Sequence, residues 1–124
     1  MNALAQDIRR ICLELLPSCQ PAGWGNVAYL RGFCIHVSPV GVLNSWIQVA
    51  VTLKGAPSGT PVSFFRELSR DGTERDETGA QRHNGLPTEA WLRQAIQHAL
   101  AWVEINGTEK PEPPPGPMDF LFQD

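Results

Sequence analysis

Residues 86–107, LPTEAWLRQAIQHALAWVEING, form the stretch that decides the fold. Apolar side chains recur there every three or four residues over several turns, which predicts a long amphipathic helix. The apolar stripe comprises Thr88, Trp91, Leu92, Ala95, Ile96, Ala99, Leu100 and Val103. Pro87 is tolerated in a first helical turn. Asn106 and Gly107 predict a left-handed stop, and Pro111 prevents any continuation of the helix.

A second amphipathic helix is predicted from Ala3 to Leu16, and Pro17 ends it. Its apolar residues share one face and are Leu4, Ile8, Ile11, Cys12, Leu15 and Leu16. Cys12 lies within this stripe, so it is interpreted as a small core residue rather than as a reactive thiol.

Strands are predicted between the two helices. Aromatic and β-branched residues in 26–38 indicate one strand, and strict alternation makes Trp46 to Leu53 the clearest one. There Ile47, Val49, Val51 and Leu53 point one way, and Gln48, Ala50 and Thr52 point the other. Asp71-Gly72 predicts a hairpin between 62–70 and 73–78 with a charged, solvated tip. Residues 18–25 and 79–85 are interpreted as loops.

These elements predict an α+β fold, a two-layer sandwich with an N-terminal helix, about four antiparallel strands and a long C-terminal helix. Both helices are expected to cover the sheet face that carries Val49 and Val51. Residues 1–108 are expected to form a single domain. Residues 109–124 are expected to form an extended Pro-rich spacer followed by an apolar and acidic peptide.

The composition narrows the class of protein. An apolar fraction of 42% and a charged fraction of 19% are typical of one globular domain. No apolar run is long enough to span a membrane, and the start lacks the pattern of a signal peptide. The odd number of cysteines (Cys12, Cys19 and Cys34) argues against a secreted disulfide framework. We therefore expect a cytoplasmic protein with no membrane partner.

The charge distribution disfavours direct nucleic-acid binding. Residues 1–108 carry nine Lys or Arg and nine Asp or Glu, so their charges cancel. The whole net charge of −3 lies in residues 109–124, which contain one cation, Lys110, and four carboxylates. A phosphate backbone is bound mainly through clustered cations, which a neutral body does not supply.

Cys34 and His36 are the one pair that suggests chemistry. Two residues apart on a strand, they share a face and could supply a thiolate and an imidazole to a metal or to a reaction. A zinc site needs two further ligands, and Cys19, His83 and His98 qualify only by residue type. Alternate side chains on a strand lie roughly 6–7 Å apart, too far for a direct hydrogen bond. We therefore expect no catalytic residue, no metal and no cofactor.

The favoured interpretation is a non-enzymatic protein-binding module. An inhibitor, adaptor or accessory factor from a phage, plasmid or bacterial defence system would fit. Aromatic residues on an uncovered sheet face and apolar residues after a proline spacer are typical of binding surfaces. The candidate partner-binding residues are Met118, Phe120, Leu121, Phe122, Trp46 and Tyr29.

The partner is expected to be another protein or a second copy of the chain, and the tail could dock on its own body, on a twin subunit or on a target. Two alternatives remain open. One is a small enzyme or metal-binding protein that uses Cys34, His36 and a second histidine. The other is a homodimeric structural module with an exchanged tail.

Overall fold

The computed structural model describes residues 3–16, 18–22, 25–41, 43, 45–57 and 62–107. Its elements are helix α1 (Ala3–Leu15), strands β1 (Gln20–Ala22), β2 (Gly25–Leu30), β3 (Phe33–Val40), β4 (Trp46–Leu53), β5 (Phe64–Ser69), β6 (Thr73–Asp76) and β7 (Gln81–His83), and helix α2 (Thr88–Asn106). The described strands form one antiparallel sheet of seven strands in chain order. The α+β class is confirmed, and the sheet is larger than the predicted four strands.

Both helices pack on one face of the sheet. From α2, the side chains of Trp91, Leu92 and Ile96 are at most 2% exposed, and they join Val49 and Val51 of β4 in one core. Ile8, Ile11 and Cys12 contribute the α1 side of the same core. Most of the predicted stripe residues are buried against the predicted face. Leu15 and Leu100 are only partly buried, Thr88 is exposed, and the side chain of Leu4 lies outside the described part of the structure.

The predicted strand over residues 26–38 is in fact two strands joined by a tight turn. Arg31 and Gly32 have φ values of 52° and 87°, so both central residues are left-handed, as two-residue hairpins favour. Arginine is an uncommon residue at such a position, and the sequence therefore gave little sign of a turn. Because the chain reverses there, Tyr29 pairs with Cys34 and lies on the opposite face from Ile35.

Two further strands lie in segments that were predicted to be loops. The edge strands β1 and β7 have three residues each, too few for an alternating pattern to be recognised. β1 contains Pro21 and β7 is exposed along its length. Short, polar or proline-containing edge strands resist pairing with other chains. β1 and β7 therefore protect the two edges of the sheet.

The β5–β6 hairpin is where the sequence predicted it, but its charges are not all solvated. Arg66, Glu67 and Glu74 are only 7%, 4% and 3% exposed. Arg66 forms an ion pair with Glu74 on the helix side, and Arg75 forms one with Glu67 on the other side. The interpretation of a solvated tip is wrong for Glu67 and Glu74, which are buried because each has an opposite charge beside it.

The end of α2 also differs from the prediction. Gly107 has φ −64° and ψ 130°, an extended rather than a left-handed conformation. Its N–H donates to the Val103 carbonyl at 2.7 Å, and its own carbonyl accepts from Arg31 Nη2 at 3.4 Å. The chain therefore leaves the helix against the β2–β3 turn. The predicted spacer and tail, 109–124, lie outside the described residues.

No helix in the described part of the chain has both the length and the apolar character needed to cross a membrane.

The core role of α2 can be tested with two isoleucines on the same helix. Ile96 is fully buried, whereas Ile105 is 81% exposed. Ile96→Ala should lower the free energy of unfolding by about 2–5 kcal/mol, because it leaves a cavity in the core. Ile105→Ala should change that energy by less than about 0.5 kcal/mol. Urea unfolding followed by circular dichroism measures both, and equal losses would contradict the described packing.

Candidate functional site on the helix-free sheet face

Both described helices cover one face of the sheet, and we call the other face the open face. Strand register places the open-face side chains in rows that run across the strands. The rows are Tyr29, Cys34 and Thr52; Val27, His36, Ala50 and Phe65; Ser38, Gln48, Glu67 and Arg75; and Val40, Trp46, Ser69, Thr73 and His83. The open face therefore carries both of the predicted aromatic residues, Tyr29 and Trp46.

Small apolar side chains with little exposed surface lie at the centre of the open face. Val27, Cys34 and Ala50 are only 6%, 7% and 3% exposed, although neither helix covers them. These three side chains therefore expose little surface of their own, whereas Phe65 in the same region is half-buried. The row of Val27 and Ala50 continues to Phe65, beside which lies an open cleft of about 510 Å³. Val27, Ala50 and Phe65 thus form an apolar floor on β2, β4 and β5, which the half-buried imidazole of His36 interrupts on β3.

A cation covers each of the two aromatic rings. Lys54 Nζ lies 5.6 Å from the centre of the Tyr29 ring, and the Arg75 guanidinium lies 4.0 Å from the centre of the Trp46 ring. The Tyr29 and Trp46 rows are separated by six residues of β4, or about 20 Å. The rings therefore lie at opposite ends of the open face, with the apolar floor between them.

Hydrogen bonds hold the Trp46 end in place. Arg75 Nε donates to Glu67 Oε1 at 2.6 Å, and Gln48 Nε2 donates to Glu67 Oε2 at 3.2 Å. Arg75 is consequently fixed between a carboxylate and an aromatic ring, an arrangement that restricts both side chains. These contacts restrict the side chains at this end of the open face.

Cys34 and His36 also lie on the open face, in adjacent rows. His36 Nε2 is 3.2 Å from Thr52 Oγ1, and burial lowers the pKa of His36. Burial likewise raises the pKa of the Cys34 thiol, which favours the unreactive form. The lowered pKa favours the neutral imidazole. Lys54 acts in the opposite direction on the thiol, but burial is the larger effect, so the pKa of Cys34 is still raised.

The structure does not bring a second histidine to this pair. His98 lies on α2, on the other side of the sheet, where its Nδ1 accepts a hydrogen bond from Arg66 Nη1 at 2.6 Å. His83 lies on β7, four strands from β3, which is roughly 19 Å. The described residues contain no group of three side chains able to hold a metal ion.

A buried charge cluster under α2 was missed by sequence reasoning. Arg66 pairs with Glu74 and lies over the Trp91 ring at 5.6 Å. It borders a cleft of about 290 Å³ between α2 and the outer strands. The sequence pattern could have revealed this cluster. Arg66 lies between Phe64 and Leu68 in the alternation of β5, which places all three side chains on the core face. Because Arg66 and Glu74 neutralise each other, this cluster is best explained as structural.

Four of the predicted partner-binding residues cannot be placed on either face. Met118, Phe120, Leu121 and Phe122 lie outside the described residues.

The thiols offer a test of the enzymatic alternative. Burial raises the pKa of Cys12 to about 12 and also raises the pKa of Cys19 and Cys34. Iodoacetamide reacts with thiolates, so at pH 8 the folded chain should label more slowly than the urea-unfolded chain at each cysteine. At Cys12 the loss of thiolate alone predicts roughly a thousandfold decrease. Peptide mass spectrometry measures each rate. A folded Cys34 that reacts faster than the unfolded one would indicate an activated nucleophile.

The chain matches no protein-family model, no curated protein and no solved structure. Its function is therefore inferred from its own residues and their geometry.

Proposed function

We propose that this chain is a non-enzymatic protein-binding module, and that its open face binds an extended apolar segment of another protein. The observation that supports this most directly is the apolar floor of Val27, Ala50 and Phe65. It lies between two cation-covered aromatic rings, and neither described helix covers it.

The size of the floor sets the size of the ligand. Four adjacent strands, β2 to β5, span about 14 Å at their usual spacing, which corresponds to four or five extended residues. Burying one large apolar side chain contributes about 1.5–3 kcal/mol, whereas association costs several kcal/mol in lost freedom. Two or three apolar side chains are therefore needed on this floor for measurable affinity.

The charges of the open face favour particular flanking residues. Lys54 lies at one end without a described carboxylate partner, whereas Arg75 at the other end is already paired with Glu67. A carboxylate beside the apolar residues of a ligand would complement Lys54 and increase the rate of association. The cleft beyond Phe65 is lined by Asp76 and Glu77, so an acidic residue is disfavoured at that margin.

The order of the surface also supports recognition. The Trp46 ring is held by Arg75, and Arg75 is held by Glu67, so little side-chain freedom remains to be lost on binding. Aromatic residues with such restricted side chains dominate the binding energy of many interfaces. An inhibitor, adaptor or accessory factor of a phage, plasmid or bacterial defence system, acting in the cytoplasm, could use such a surface.

A random-peptide display selection against the full chain tests the proposal. Enriched peptides should contain two or three large apolar residues next to Asp or Glu. Ala50→Arg places a long charged side chain on the floor. It should weaken peptide binding about tenfold or more, which corresponds to roughly 1.4 kcal/mol.

The matched control is Gln97→Arg, which adds the same side chain at an exposed position of α2. It should leave peptide binding unchanged. Peptides that bind both variants equally, or no enrichment over unrelated proteins, would contradict a binding role for the open face.

A further inference from the structure

Gly107, the last described residue, lies against the β2–β3 turn. Gly107 lies so close to Arg31 that an added Cβ would be 2.7 Å from the Arg31 Cβ, which only glycine allows. The next residue of the turn, Gly32, accepts a hydrogen bond from the Lys54 N–H at 2.9 Å. Lys54 in turn covers Tyr29. A continuous series of contacts therefore joins the end of α2 to the Tyr29 corner of the open face.

Two cations on this path lack a described carboxylate partner. Arg31 and Lys54 form no ion pair with any residue that the structure describes. Arg31 Nε is also buried without an acceptor among those residues. Just beyond Gly107, the sequence supplies Glu109 and Glu112. A spacer that follows this path would bring its carboxylates to the cations and provide Arg31 with an acceptor.

The length of the spacer fits the distance to the apolar floor. Residues 108–117 can span about 31 Å in the extended conformation that proline favours. Ala50 lies four residues along β4 from Lys54, which is about 14 Å. The spacer can therefore pass the β2–β3 turn and still deliver the following residues to the floor with length to spare.

The segment after the spacer has the chemistry that the floor requires. Met118, Phe120, Leu121 and Phe122 are large apolar residues, and Asp119 stands among them. The prolines restrict the undocked chain, which reduces the entropy lost on docking. A short tether also gives an effective concentration of the order of millimolar, so even a weak contact is well occupied.

We propose that residues 118–122 dock on the open face of their own chain, over Val27, Ala50 and Phe65, and that a protein partner binds by displacing them. The displacement rests on the function proposed above, whereas the docking does not. A ligand must then compete with the tail for the apolar floor. While no ligand is bound, the tail shields the floor from solvent.

Chymotrypsin cleavage of the full chain tests the docking, because this protease cuts after Phe and Leu. Cleavage at 120–122 in the folded chain should be about tenfold or more slower than in a free peptide of residues 109–124. Ala50→Arg should restore fast cleavage, and Gln97→Arg should not. Circular dichroism establishes that both variants are folded.

A second measurement does not alter the sheet. The variant Phe120→Ser/Leu121→Ser/Phe122→Ser should shift the methyl resonances of Val27 and Ala50 relative to the unchanged chain and leave those of Val49 and Val51 in place. Fast cleavage of the unchanged chain together with unshifted Val27 and Ala50 resonances would overturn the proposal. Protection that increases with chain concentration would also overturn it, because the tail would then dock on a second copy.

The two proposals can fail separately. If display selects peptides that need the open face while the tail is unprotected, the binding function stands and tail docking is excluded. If the tail is protected but the triple serine variant selects no peptide, docking stands and binding of another protein is excluded.

Discussion

The packing of α2 on Val49 and Val51 of β4 is the constraint on which the rest of the structure depends. Side chains on a strand alternate between faces, so fixing these two residues in the core fixes the face of every neighbouring strand through the register. The two amphipathic helices of the described residues both pack on that face. Neither described helix therefore packs on the opposite face of the sheet, the open face.

The same alternation explains where the charged residues lie. Arg66 and Glu67 are neighbours on β5, yet they enter separate ion pairs on opposite faces. Arg66 joins Glu74 at the margin of α2, where the helix no longer covers the outer strands. Glu67 joins Arg75 and anchors the Trp46 end of the open face. A single charged hairpin thus supports both the core and the proposed binding surface, because partners are available on each side.

Local patterns predicted the helices, β4 and the β5–β6 hairpin, because periodicity and turn chemistry depend on neighbouring residues. They did not predict the β2–β3 turn, where Arg31 adopts a left-handed conformation, or the three-residue edge strands. The open face was predictable only in part: Trp46 could be assigned opposite Ile47, but the face of Tyr29 depends on that turn. The apolar floor combines residues from three strands, and no single stretch of sequence reveals it.

A serine scan along β4 tests the central claim that one face of this strand is core and the other is not. Val49→Ser and Val51→Ser should each lower the free energy of unfolding by about 2–4 kcal/mol, through lost packing and a buried hydroxyl. Thr52→Ser should lower it by less than about 1 kcal/mol, because Thr52 is only partly buried and already carries a hydroxyl. Urea unfolding measures all three. A loss at Thr52 as large as those at the two valines would mean that both faces are core, and would contradict an open face available for binding.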